Sequence, residues 1–456
     1  MTTSMPPRFK RRPTSRLGII VAVGLCLCAA VDAQAMGVMQ AYEAARQHDA
    51  QFRAAMAERD AGEEYQNLGR AQMRPTLTAH YSTSENRASL TNPNGTSEQR
   101  SYRSLSSGVQ LQQPLVNFDG MAARRQGVAR SAASEARFVA REQDLIVRLF
   151  ETYSTTLYAQ EQLDQTLAQL AALAAQQRAN EQLLAKGEGT RTDVLETRAQ
   201  HDMALAQSIE AQDNLNNAQA RLQAMTGLDA ATLDRLRPEF SPVELPQRSL
   251  EEWQALARER NPVLQALQLD VEAAWEDTRR AQSGHLPRLD LIASVGRSES
   301  DSLNSYRQSA HTNSVGLQLN VPLYAGGGVS AQARQATARH AQAQAELEAR
   351  TSEVMTEVHK QFRLVSSSSL RLQAASRAVE SAQTLVEATR KSVVGGVRTN
   401  MDVLEARERL SRAERDLAYN RYLHLLAVLR LQAATGGLSE ASLQTVASRF
   451  GSDANR

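Results

Sequence analysis

The sequence predicts a mainly α-helical, internally duplicated fold: long antiparallel coiled-coil helices, with four amphipathic strands per chain that would contribute to a β-barrel. Three observations carry this. Residues 395–407, Gly-Gly-Val-Arg-Thr-Asn-Met-Asp-Val-Leu-Glu-Ala-Arg, are answered by residues 187–198, Gly-Glu-Gly-Thr-Arg-Thr-Asp-Val-Leu-Glu-Thr-Arg, with Asp402 lying 209 positions beyond Asp193. Other punctuation recurs at nearly the same shift: Gln113-Pro114-Leu115 with Val321-Pro322-Leu323 at 208, and Thr226-Gly227 with Thr435-Gly436 at 209. Arg74-Pro75 pairs with Leu286-Pro287, and Asp49-Ala50-Gln51 with Asn261-Pro262-Val263, both at 212. A chain that repeats its turns in one order is two copies of one unit. Finally, residues 119–186 and 329–394 contain no proline, so each can run as one helix of roughly 65 residues, about 100 Å long at 1.5 Å per residue.

Taken in order, the chain opens with Arg8, Lys10, Arg11, Arg12 and Arg16, an apolar run from Leu17 to Val31, and Ala33-Gln34-Ala35. That is the pattern of a secretory signal peptide over residues 1–35, its apolar run too short for a good membrane span, so the mature chain should start near Met36. Both cysteines, Cys26 and Cys28, fall inside this segment, which excludes disulfide and thiol chemistry from the mature protein. Leu25 and Leu27 are poor neighbours for lipid attachment there. A net charge of +2, evenly spread, gives no basic face for nucleic acid. Aromatic residues are only 4% and alanine dominates the apolar share, which suits helices that meet closely better than a bulky globular core. No stretch beyond residue 35 is apolar enough for a membrane helix, so membrane entry would have to be by strands.

The first copy spans residues 36–228. A helix over 38–72, with Val38, Tyr42, Ala45, Phe52 and Met56 on one face, should end before Pro75. A strand hairpin over 76–116 follows: Leu77, Ala79 and Tyr81 alternate with Thr78, His80 and Ser82, a polar loop occupies 89–99, and Val109, Leu111 and Pro114 alternate with Gln110 and Gln112. The long helix 119–186 comes next, then the glycine turn at Gly187 and Gly189, and a return helix over 190–226. A proline-bearing link, 229–248, leads to the second copy, 249–436. There a helix over 250–282 precedes a hairpin over 287–324, with a polar loop through 298–312. The long helix 329–394 carries Val358, Val365, Leu372, Val379, Val386 and Val393 seven residues apart, a period that draws neighbouring helices into supercoiled contact. The turn at Gly395 and Gly396 and a return helix over 399–434 close the copy. The tail, 437–456, reads as irregular.

Catalytic patterns are weak. Gly326-Gly327-Gly328-Val329-Ser330-Ala331 fits a dinucleotide loop in spacing, but Glu346 and Glu348 lie mid-helix where a second strand should end, so a sharp strand-to-helix corner accounts better for the glycines. The eight histidines are scattered without metal-ligand spacing. No nucleophile and base set is supported; no enzyme, cofactor or metal is expected. Strand alternation alone fits an exposed antiparallel sheet equally well, and the export signal shifts the reading toward a membrane barrel. Four strands cannot close a barrel. If they do belong to one, three chains would give 12 strands and gather 12 helices around a continuous tube.

The duplicated order helix, strand hairpin, long helix, glycine turn, helix resembles the TolC-like outer-membrane channels of Gram-negative bacteria, over nearly the whole mature chain. Its most specific marks are Gly396-Val397-Arg398-Thr399 with Asp402-Val403-Leu404-Glu405, the Pro-Leu pairs at Pro114 and Pro322, and the duplicated turn at Gly187. The resemblance implies a homotrimer with an outer-membrane barrel in lipid and a periplasmic helical tunnel. It would dock on a periplasmic adaptor protein and an inner-membrane transporter of the ABC or RND type. It also implies roles for residues. Asp402 and Glu405 would form an acidic ring at the tunnel entrance. Arg398 would tie this hairpin to Thr192 and Asp193 and hold the entrance shut, although Val393 stands where the family often places a tyrosine. Gly187, Gly189, Gly395 and Gly396 would mark the tips that meet the adaptor. Asp402 and Glu405 also have a plain reading, as solvated acids near the positive end of a helix. The amino-terminal Ala-Tyr-Glu-Ala-Ala-Arg-Gln-His-Asp-Ala-Gln-Phe-Arg-Ala-Ala is similar to members serving type I secretion, so protein export beside an ABC transporter is preferred to multidrug efflux. A soluble periplasmic coiled-coil adaptor is the competing class.

Overall fold

The computed structural model describes residues 35–451 apart from 92, 94, 238, 239, 244, 245, 303 and 304; the secretory segment expected over 1–35 lies, but for Ala35, outside them. The first copy comprises α1 (Val38–His48), α2 (Ala50–Ala71), β1 (Thr76–Thr91), β2 (Ser97–Val116), α3 (Phe118–Ala185) and α4 (Arg191–Thr226). The link carries β3 (Arg235–Leu236). The second copy repeats the order as α5 (Leu250–Arg260), α6 (Pro262–Gln282), a 3-10 turn (Ser283–His285), β4 (Arg288–Ser302), β5 (Ser305–Asn320), α7 (Gly328–Val394) and α8 (Asn400–Ala434). The tail adds α9 (Glu440–Ala447) and β6 (Phe450–Gly451).

The long helices form as their composition requires. Asn117 caps α3, its Oδ1 accepting the Gly120 N–H at 3.0 Å. At the other corner Gly326 and Gly327 take φ of 60° and 79°, left-handed conformations that let β5 turn abruptly into α7. α3 packs on α2, α4 and α6, and α7 on α5, α6 and α8, giving two antiparallel hairpins, α3–α4 and α7–α8. Along α7 the seven-residue stripe faces inward, with Val358 and Leu372 buried and Val365, Val379, Val386 and Val393 half-buried. The main core lies midway along α3, where Leu145, Leu149, Phe150 and Tyr153 meet Leu425 and Leu429 near the carboxyl end of α8.

Four expectations need correcting. The helix expected over 38–72 is broken at Asp49, whose carboxylate accepts the Phe52 N–H at 3.2 Å and caps α2. The helix expected over 250–282 is likewise broken at Asn261, whose Oδ1 accepts the N–H groups of Val263 and Leu264, with Pro262 as the first helical residue. Both hairpins also run further than read: strand covers most of the polar stretches 89–99 and 298–312, because a ladder of backbone hydrogen bonds tolerates serine, threonine and asparagine. The tail is ordered as well. Leu443, Val446 and Phe450 enter the main core, and β6 pairs antiparallel with β3. Met36 bridges to Leu233 in the same link and is held by the Tyr153 hydroxyl, which donates to its carbonyl at 2.8 Å.

The four long strands make one antiparallel sheet in the order β1-β2-β4-β5. Paired residues share a face, so register sorts the side chains cleanly. Leu77, Leu111, Ala293 and Val315 form one row across the sheet, and Ala79, Val109 and Val295 stand in the next. Leu77, Val295, Val315, Leu317 and Leu319 are exposed on this face. Thr78, Gln110, Ser294 and Ser314 lie on the other. Strands β1 and β5 each keep one edge without a partner among the described residues. Among the described residues, no helix is long and apolar enough to cross a membrane.

Candidate functional site

The two glycine turns are built alike. Gly187 and Gly396 have φ of 78° and 71°, and the chain reverses through Glu188 N–H donating to the Leu183 carbonyl and Val397 N–H donating to the Ser392 carbonyl. Gly189 and Gly395 flank these positions; Gly395 itself has an ordinary φ of −76°. Each return helix restarts with a capping box: Thr190 with Asp193, and Thr399 with Asp402. Asp193 and Asp402, expected in the entrance machinery, therefore cap their own helices first.

Asp402 accepts from the Thr399 N–H and hydroxyl, each at 2.8 Å. Those bonds, with Arg398 at 4.0 Å, hold its pKa below the usual carboxylate range. Glu405 is exposed and pairs with Arg409 at 3.8 Å on the following turn. Arg398 thus leans on Asp402 of its own helix. The structure does not bring it to Thr192, which is exposed, or to Asp193 within one chain.

Glu405 also lines a cleft of about 750 Å³ enclosed by α3, α4 and α8, together with Gln162, Leu173, Met203, Leu404 and Arg415. Two buried polar atoms there, Gln165 Oε1 and Arg415 Nε, have no hydrogen-bond partner among the described residues. Burial also pushes the Glu414 carboxyl up.

Sequence reasoning missed a polar belt that ties the two copies together at mid-length. The Tyr422 hydroxyl donates to Glu161 at 2.8 Å, linking α8 to α3, and Arg235 of the link bonds Asp164 at 2.8 Å. Burial raises the pKa of Glu161 against the opposing pull of the Tyr422 hydrogen bond. His424 is buried, accepts the Val243 N–H at Nε2 (3.1 Å), and contacts Ser368 Oγ through Nδ1 (2.6 Å). The neutral ring therefore carries its proton on Nδ1. A histidine within an otherwise apolar heptad series, Leu410, Leu417, His424 and Leu431, is the signal that could have found this contact.

Burial holds the His424 pKa below the ordinary histidine range. The unfolded chain then takes up this proton before the folded one does, so stability is full above about pH 6.5 and falls as the pH drops from there to the depressed folded value. The thermal midpoint should decline across that window in the wild type. His424→Gln should flatten the slope; an unchanged slope would assign the effect to another group.

The outer membrane efflux protein family matches residues 41–228 and 253–437. The chain is 39% identical over 441 residues to the proteases secretion protein PrtF of Dickeya chrysanthemi, covering 95% of each chain. It is 38% identical over 424 residues to the alkaline protease secretion protein AprF of Pseudomonas aeruginosa, covering 92% of this chain and 88% of that one. Among solved structures, the CmeC outer membrane channel of Campylobacter jejuni superposes with a TM-score of 0.77 at 15% identity, over 90% of this chain and 89% of that one.

Proposed function

We propose, for a chain that belongs to the outer membrane efflux protein family, that it is the outer-membrane conduit of a protein export system. Membership makes it an outer-membrane channel protein and sets aside the soluble adaptor. The finer reading rests on likeness over nearly full length to two secretion proteins for proteases. Its cargo would be protein delivered by an ABC transporter through a periplasmic adaptor, in type I secretion. The channel itself has no energy source in this reading and only provides the passage.

One observation carries the assembly: the two open edges of the sheet. An unpaired strand edge leaves backbone N–H and C=O groups unsatisfied in lipid, at several kcal/mol each. In the order β1-β2-β4-β5, alternate strands run in opposite directions. β5 of one copy is thus correctly oriented to pair antiparallel with β1 of the next. Three copies would close 12 strands, an even number with an open lumen, and the same ring would gather the four hairpin helices of each copy into a tunnel. Detergent-extracted protein should cross-link as a trimer and conduct ions in planar bilayers. In cells lacking their own conduit, it should restore export of a protein cargo with a cognate transporter and adaptor. Restoration of dye efflux alone would favour a drug-efflux channel.

At the periplasmic end, Arg398 would reach Thr192 and Asp193 between hairpins once the ring is assembled, in place of its contact with Asp402. Opening would then be an iris-like displacement as the partner parts those pairs. Gly187, Gly189, Gly395 and Gly396 would be adaptor contacts at the tips. Arg398→Ser should raise the open fraction in single-channel records several-fold; a channel that stays equally closed would argue against this lock.

A further inference from the structure

Register places charge on the lipid-facing surface toward the hairpin tips. Above the apolar rows described earlier, Tyr81 pairs with Ser107, Ser107 with Arg297, and Arg297 with His311, so these four form a single row across all four strands. They share the face of Leu77, Val109, Val295 and Leu317. The row lies eight residues beyond Leu289, on the side of the hairpin tips and away from the helices. At about 3.4 Å per residue and a tilt near 40°, that is about 20 Å above the lower edge of the apolar band, close to the usual band height. Tyr81 sits where an aromatic girdle belongs. Arg103 follows on β2, four residues nearer the tip than Ser107, its Nε donating to Thr83 Oγ1 at 3.2 Å on this same face.

We propose that Arg297 and His311, with Arg103 above them, bind the phosphate groups of a phosphorylated glycolipid in the outer leaflet of the membrane. This rests on the barrel reading and on charge complementarity. An arginine facing lipid is costly at the bilayer midplane and costs little at the headgroup level, so Arg297 marks the outer headgroup level. The phosphates of the surrounding lipid are the anions at that depth. Acidic neighbours do not block the site: Arg297 pairs with Glu299 and Glu85 lies opposite Arg103, but exposed pairs of this kind are weak and readily exchanged. A guanidinium holding a phosphate through two parallel hydrogen bonds is the stronger arrangement.

The test uses the full-length trimer in phosphatidylcholine vesicles containing bisphosphorylated lipid A, its dephosphorylated form, or phosphatidylglycerol at matched charge. Inorganic phosphate is added to plain vesicles as a fourth arm. Lipid A should raise the trimer dissociation temperature most, and Arg297→Gln with His311→Gln should weaken its apparent binding about tenfold. His80→Gln, on the opposite face, should leave that binding unchanged. Equal protection by dephosphorylated lipid, by phosphatidylglycerol or by free phosphate would overturn the proposal, as would a double variant with undiminished binding. Conductance in the same vesicles reports the channel reading separately: a double variant that conducts normally yet binds lipid A as the wild type does sinks only the lipid site.

Discussion

Placing valine at Gly127 is expected to prevent the folded protein from accumulating. A side chain there would begin 2.3 Å from the Tyr65 carbonyl oxygen, which belongs to the backbone of α2. One turn-pair away, Gly69 presses on α3 in the same way, with 2.6 Å to the Ala123 carbonyl oxygen. The two helices thus meet backbone to backbone, and a clash with backbone is not relieved by rotating a side chain. Overpacking typically costs about 1–3 kcal/mol where neighbours can shift; here α2 would have to move off α3, so the upper end is the minimum. Gly436→Val should be as severe, since it combines a φ of 70° with a Cβ only 2.1 Å from the Arg260 carbonyl oxygen. Gly316→Ala, which meets nothing within 4 Å, should be silent. Yield and thermal midpoint of the detergent-extracted protein read all three, and a Gly127→Val variant as stable as the wild type would refute the close-contact account.

Asp402→Ala with Glu405→Ala is expected to weaken block by trivalent cations at least about tenfold and to reduce cation preference, if three copies bring six carboxylates to one narrow mouth. The capping box complicates that experiment usefully. Asp402 also holds Thr399, so the alanine could act by loosening the hairpin. Asp402→Asn with Glu405→Gln keeps hydrogen-bonding groups and removes charge. Loss of block in both double variants identifies charge as the cause; loss in the alanine variant alone identifies the cap. Unchanged block in both removes the ring. Because the folded pKa of Asp402 is lowered, its charge and its cap are both intact above the ordinary aspartate value near 3.9 and are lost only as the pH falls through the lower folded value. The share of the block due to Asp402 should therefore outlast a drop to that pH.

Much of this was legible in the residues. The hairpin turns, both long helices and both strand pairs announce themselves by glycine, proline and periodicity, and the duplication cross-checks each against its echo. What stayed hidden has physical causes. Asp49 and Asn261 recur as an echoed pair in the two copies, yet apolar periodicity continues across them, and the side-chain bonds to the next turn show that each breaks its helix. Serine-rich strand ends look like loop because composition reports side chains, whereas the ladder is made of backbone. The tail carries Leu443, Val446 and Phe450 without indicating where they dock. As for the entrance, sequence identifies Asp402 and Glu405 as acids near a helix start, but the local bonds of Asp402 and the turn from Glu405 to Arg409 appear only in three dimensions.

The strap formed by residues 232–236 holds Met36 on one strand-like contact and Phe450–Gly451 on another, against the middle of α3 at Tyr153. Anything grafted before residue 36 or after residue 451, such as a fluorescent reporter or an affinity handle, would consequently emerge at the girth of the molecule. Neither extremity would be encumbered, so labelled copies could be counted in living cells while both mouths remain in service.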